Sequence, residues 1–250
     1  MNTLLKYRYN NVINPDLYKH FMDSKLLTIV RIKYNTESHY FGYIGDQRDI
    51  MSNFQNWKSN YDLKSVYHKY KLSFIISDKN NKIINLTLIK KLSLINRVWY
   101  ATRYKYTKSN YPVDELLAIK YNYNIIVTKP PDIELITNYN STNKSNYNKI
   151  NSSRDKSYIH YLDNKKNNYS YRKYYNNIPE WSEKVGSYTL KFSMDNLVES
   201  VKNMQILDNN SDNIIFEFGK SSTNVFILSF KKPLSMIEAF TIGLTTITNH

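Results

Sequence analysis

No cysteine occurs among the 250 residues, which excludes disulfides, thiolate metal sites and cysteine nucleophiles. Glycine is scarce, with 5 residues, and no complete phosphate-binding loop is built from it. Gly219-Lys220-Ser221 resembles the end of such a loop, but Ile214 stands where the pattern needs its first glycine. No Gly-x-Ser-x-Gly elbow is present either. The 5 histidines are scattered, none in a His-x-x-x-His or His-Glu-x-x-His spacing, so no metal site is expected. Long apolar runs are missing as well: no segment reaches membrane-spanning length, and the N-terminus carries no signal-type core. The chain therefore reads as a soluble intracellular protein without an enzyme signature or cofactor, and its Asn-x-Ser/Thr triplets as accidents of composition.

Acidic residues are outnumbered, 21 against 35 basic, leaving a net charge of +14. Such an excess favours polyanions: nucleic acid, an anionic membrane surface or phosphorylated headgroups. Abundant Asn, Lys, Ile and Tyr also follow from A/T-rich codons, so the placement of charge carries more than its total.

Short runs rich in β-branched and aromatic residues recur: Leu4–Tyr9, Leu26–Tyr34, Tyr40–Ile44, Leu72–Ser77, Ile83–Ile89, Val98–Tyr106, Ile125–Thr128, Ile133–Thr137, Ser187–Phe192, Ile214–Phe218 and Val225–Phe230. Many are flanked by Asn, Asp, Ser or Gly and read as strands. Helices are expected at Val113–Tyr121, at Asp49–Trp57 and at the C-terminus. Residues 138–176 are low-complexity Asn/Ser/Lys/Tyr sequence, expected to be a mobile insertion within a single domain spanning 1–250. Its interleaved Lys and Tyr also suit single-stranded nucleic acid.

Residues 233–247 leave almost no polar stripe, and Pro233 suits a first helical turn. A helix apolar nearly all round must be enclosed by its own domain. It spans roughly 21 Å, short of the ~30 Å bilayer core, and Glu238 interrupts it. One hydrophobic helix wrapped by strands is the expected architecture.

The most suggestive basic cluster lies in Leu26-Leu27-Thr28-Ile29-Val30-Arg31-Ile32-Lys33-Tyr34. On a strand, Arg31 and Lys33 share a face about 7 Å apart, while Val30, Ile32 and Tyr34 face the other way and anchor the strand in the core. Arg supplies a planar fork and Lys a point charge, a pairing that grips neighbouring phosphates. A plain solvated strand face explains the pair too, and Arg103 and Lys105 repeat the spacing.

From Asn177-Ile178-Pro179-Glu180-Trp181 the chain runs through Ser187-Tyr188-Thr189-Leu190-Lys191-Phe192 and Ser200-Val201-Lys202-Asn203-Met204-Gln205. Phe218-Gly219-Lys220, Asn224-Val225-Phe226 and Pro233-Leu234…Ala239-Phe240-Thr241-Ile242-Gly243-Leu244 follow. In order, these resemble the closing motifs of the Tubby C-terminal domain: P-x-W, S-Y-x-L-x-F, S-V-K-N-F-Q, F-G-R, D-V-F and P-L-x-A-L-Q-A-F-A-I-x-L. Weaker similarity extends back through Glu115–Tyr121, Lys129 and Pro131 to Leu4–Tyr9. The resemblance implies a mainly β protein with a few helices: a closed twelve-stranded antiparallel β-barrel around a buried C-terminal helix. The scramblase and LURP-type proteins share that architecture.

Tubby domains tether to the inner membrane leaflet by gripping phosphatidylinositol 4,5-bisphosphate with Lys and Arg on neighbouring strands. The resemblance thus implies a non-enzymatic phosphoinositide-binding domain, cytoplasmic and peripheral to the membrane. Arg31 and Lys33 are expected to contact phosphates. The family's second basic stretch corresponds to Tyr67–Phe74, which lacks its Gly and its R-S-N core, leaving Lys69 or Lys71 as substitutes. Val30, Ile32 and Tyr34 have lost the family's other cations. Two further readings stay open: a protein-interaction adaptor that has lost lipid binding, and, ranked below it, a nucleic-acid-binding regulator. Because the chain begins almost at the first strand, a partner-engaging segment ahead of it is expected to be absent or supplied by another protein.

Overall fold

The structure, a computed structural model, describes residues 24–33, 37–46, 61–68, 73–78, 83–89, 96–103, 114–123, 131–138, 171–184 and 186–248. The early strands are β1 (Lys25–Lys33), β2 (Glu37–Ile44), β3 (Leu63–His68), β4 (Ser73–Asp78), β5 (Ile83–Ile89), β6 (Asn96–Arg103), β7 (Asp114–Asn122) and β8 (Asp132–Asn138). After them come β9 (Tyr171–Asn176), β10 (Glu180–Ser182), β11 (Ser187–Thr189), β12 (Met204–Asp208), β13 (Ile214–Lys220) and β14 (Val225–Phe230), then helix α1 (Met236–Thr248). The protein is mainly β with one C-terminal helix.

All strands but β10 and β11 belong to one large antiparallel sheet, in the order β1-β14-β13-β12-β9-β8-β7-β6-β5-β4-β3-β2, and β1 pairs with both β14 and β2. β10 and β11 form a separate hairpin. Strands β13 and β14 show little polar alternation because both of their faces are covered. Phe216, Phe218, Phe226 and Leu228 join the main core, while Ile227 packs outside under Met194 and Leu197. Residues 190–203 form this outer strap. It lies so close that a Cβ on Gly219 would come within 2.4 Å of Leu197 Cδ1, which only glycine avoids.

Helix α1 sits against strands far apart in the sheet order. A Cβ at Gly243 would sit 2.9 Å from Ile29 Cδ1 of β1, and Tyr121 Oη of β7 lies 2.8 Å from Thr245 Oγ1. Ala239 to Ile247 are buried without a break, as an all-round apolar helix requires. Its threonines do not violate that burial: Thr245 and Thr246 donate to the carbonyl of Ile242 at 2.7 and 2.9 Å, satisfying their hydroxyls within the helix. Phe240 and Ile242 are 0 % exposed.

Three expectations need correction. The helix expected at Val113–Tyr121 falls on strand β7, Asp114–Asn122. Its Leu117, Ile119 and Tyr121 face the main core and Ala118 a second cluster with Val98 and Ile136. An apolar run buried on both faces carries no period that separates strand from helix. The register also shifts between Ala101 and Thr102, so Leu116 is an extra residue against β6. Pro233 lies ahead of the helix, not in its first turn. Ser235 occupies the cap: its N–H donates to Glu238 Oε2 at 2.8 Å and its Oγ accepts from Glu238 N–H at 3.4 Å, the reciprocal pair of a capping box. Finally, residues 171–176 of the expected insertion form β9, where Tyr174 is fully buried. The strands expected at Leu4–Tyr9 and Ile125–Thr128 and the helix expected at Asp49–Trp57 lie outside the described residues.

Candidate functional site

β1 carries Leu27 and Ile29 into the main core beneath the helix, and Arg31 and Lys33 continue along that same face. The other face is not their solvated counterpart. Val30 and Ile32 pack in a separate cluster with Phe41, Tyr43 and Tyr61. The expected anchoring by Val30 and Ile32 therefore holds, but in an outer cluster, while the cations extend the core-facing side. Tyr34, Lys69 and Lys71 lie outside the described residues.

Arg31 is half-buried, and its backbone N–H donates to Asn224 O at 2.8 Å. Nε and Nη2 donate to Asn224 Oδ1 at 3.3 and 3.2 Å, and Nη2 also to Thr223 O at 3.2 Å. Its Cζ lies 5.7 Å from the Phe226 ring centroid, within cation–π range. These partners are all uncharged. They orient the guanidinium, and among the described residues none of them compensates its charge. Lys33, two residues on, is exposed.

Two further cations meet this pair. Lys220 ends β13 in register with Phe226 of β14, which in turn faces Ile29 of β1. Lys202, on the turn before β12, reaches α1: Nζ donates to Ile247 O at 2.7 Å. The last turn of α1 carries no basic residue of its own, so Lys202 supplies the cation that a helix C-terminus favours. Burial, then the like charges of Arg31, Lys220 and Lys33, push the Lys202 ammonium down to about 8. Among the described residues no carboxylate forms an ion pair with any of these four cations. They converge at the helix C-terminal end.

The site is held from outside by a buried polar network. Glu217 accepts from Ser193 N at 3.1 Å, from Gln205 Nε2 at 2.8 Å and from the Ser193 hydroxyl. Gln205 Nε2 also donates to Lys191 O at 2.6 Å, and Gln205 Oε1 accepts from Asn177 Nδ2 at 2.9 Å. Asn203 braces both neighbours, accepting from Lys220 N at 2.9 Å and donating to Val198 O at 2.9 Å. A pocket opens here, lined in part by Tyr121, Asn177, Pro179, Lys202 and Asn203.

Lys202 and Lys220 stand within the Val-Lys-Asn and Phe-Gly-Lys motifs but are not among the site residues expected from sequence. The missing signal is tertiary. The two lie far from Arg31 in the chain and meet it only through the pairing of β13, β14 and β1.

A family model described as "Tub family" matches residues 16–249. Over 72 residues the chain is 39% identical to Tubby protein homolog 1 of Caenorhabditis briggsae, covering 28% of this chain and 17% of that protein. It is 36% identical over 73 residues to Protein king tubby 2 of Aedes aegypti, covering 29% and 18%. It is 38% identical over 73 residues to Tubby-related protein 3 of Mus musculus, covering 29% and 16%. These matches thus span under a fifth of each relative's length, whereas the family model spans nearly the whole chain. With the enclosed apolar helix and the ordered C-terminal motifs, that match decides the kinship: the chain belongs to the Tub family.

Proposed function

We propose that this protein is a non-enzymatic domain that binds a phosphoinositide headgroup of the phosphatidylinositol 4,5-bisphosphate type and so tethers to the cytoplasmic face of a membrane. The strand pairings read best as a closed twelve-stranded barrel around α1, whose mouth at the helix C-terminus carries the charge. One observation carries the reading: Arg31, Lys33, Lys202 and Lys220 converge there without an acidic partner among the described residues. Clustered cations repel one another, so an arrangement of this kind is favourable when a polyanion occupies it. Arg31, already oriented by Asn224, offers the fork, and Lys33 and Lys220 the point charges. No helix among the described residues is long and apolar enough to cross a membrane.

Binding is expected to favour vesicles containing the bisphosphate over vesicles with phosphatidylserine alone, measured by co-sedimentation. Each cation near an anionic leaflet contributes about 1 kcal/mol, so Arg31→Ala with Lys33→Ala should weaken binding roughly thirtyfold. Equal binding to every anionic vesicle would leave only nonspecific attraction. The adaptor reading draws on Val30 and Ile32, apolar side chains packed where the resemblance places family cations. A stable protein partner found while vesicles fail would favour it.

A further inference from the structure

Ile178 is 63% exposed, Trp181 56% and Val198 41%. Each is tied closely through the chain or through a backbone hydrogen bond to residues at the cationic mouth. Ile178 lies between Asn177 and Pro179, which line the pocket shared with Lys202. Trp181 follows on β10, where its ring makes an edge contact with Tyr188 of β11 at 5.3 Å, so the hairpin holds it in place. Val198 N donates to Lys220 O at 2.8 Å, which places its backbone beside that of the fourth cation. They are three of the six exposed large hydrophobic side chains among the described residues.

We infer that Ile178, Trp181 and Val198 form an apolar rim that enters the interfacial layer of an anionic bilayer when the mouth engages a headgroup. This rests on the headgroup reading above. The occupant is a lipid surface because exposed apolar side chains accompany the segments that carry the cations, and an anionic leaflet offers charge and hydrocarbon at one plane. Trp suits the polar–apolar boundary, with a large ring and one N–H donor. The hairpin carries exposed Glu180, Glu183 and Lys184, so attraction comes from the mouth and the rim supplies the anchor. Charge brings the protein to the surface; the rim fixes its orientation with the helix C-terminus toward the membrane.

The test uses the full chain with phosphatidylcholine vesicles containing a few per cent bisphosphate lipid and acyl chains brominated near the headgroup. The sequence holds 3 tryptophans, so the Trp181 signal is taken as the difference between the wild type and Trp181→Phe. Binding is expected to blue-shift and quench that signal. Ile178→Ser, Trp181→Ser and Val198→Ser together should weaken vesicle binding about tenfold or more, while soluble inositol 1,4,5-trisphosphate still binds within about twofold. Vesicle binding that leaves Trp181 unshifted and unquenched overturns the rim but not the headgroup site. Failure of both vesicles and trisphosphate to bind overturns the headgroup reading and this inference with it. Because the fluorescence readout compares the wild type with a conservative substitution, it stands even if the triple variant folds poorly.

Discussion

Phe240→Ala is expected to lower the unfolding free energy by about 3–5 kcal/mol, a large fraction of the stability of an ordinary domain. Phe240 is 0% exposed near the start of α1, and its loss leaves a void that β2 cannot collapse to fill. The structure also offers a specific compensation. A Cβ on Gly42 would lie 2.9 Å from Phe240 Cε2 and 3.3 Å from Leu63 Cβ. Gly42→Ala alone should therefore cost about 1–3 kcal/mol by overpacking. In the Phe240→Ala background the new methyl enters the vacated space, and its cost should fall by about 1 kcal/mol or more. Denaturant unfolding of the four proteins reads this coupling directly. Additive effects would mean that the ring and the β2 backbone do not touch, and that the helix is not seated in the sheet as described.

Glu217→Ala is expected to cost about 3 kcal/mol or more, because Ser193 N–H, the Ser193 hydroxyl and one Gln205 amide hydrogen bond lose their buried acceptor. The strap 190–203 should loosen with it, read as faster amide exchange around Ser193. The same carboxyl makes stability depend on pH. Burial raises the Glu217 pKa above its ordinary 4.5, against the lowering effect of its hydrogen bonds. An unfolded chain releases that proton near 4.5 while the folded one holds it to higher pH. Over the interval between them the unfolded state binds fewer protons, so Glu217's contribution to stability falls as pH rises. Glu217→Gln removes the titration and should flatten that part of the profile. A slope unchanged by Glu217→Gln would contradict a buried carboxyl at this position.

The parts of the fold legible in sequence were those whose burial leaves a one-dimensional trace. Val225–Phe230 and Ile83–Ile89 coincide with β14 and β5, since continuous β-branched and aromatic runs bounded by turn residues have few alternatives. The C-terminal helix was legible because an all-apolar segment of that length has nowhere to go but inside. β7 was misread because its cover on both faces erases alternation. β9 and β12 were missed for the opposite reason. Tyr-Arg-Lys-Tyr-Tyr-Asn sits in low-complexity sequence and fully buries only Tyr174 among its described side chains, and Met-Gln-Ile-Leu-Asp places a polar Gln205 under the strap, where only its hydrogen bonds make burial tolerable. Half of the cationic mouth could be seen in Arg31 and Lys33, which share one strand. Lys202 and Lys220 join them through pairings between strands remote in the chain, and no local pattern encodes that meeting.

The decisive measurement is a calorimetric titration of soluble inositol 1,4,5-trisphosphate into the wild type and Lys220→Gln, a site residue known only from the three-dimensional arrangement. Loss of one point charge of about 1 kcal/mol should weaken binding roughly fivefold, with unfolding stability little changed because Lys220 is half-buried at a strand end. Wild-type affinity in Lys220→Gln, or wild-type protein that takes up no trisphosphate, contradicts a headgroup site at the helix C-terminal end.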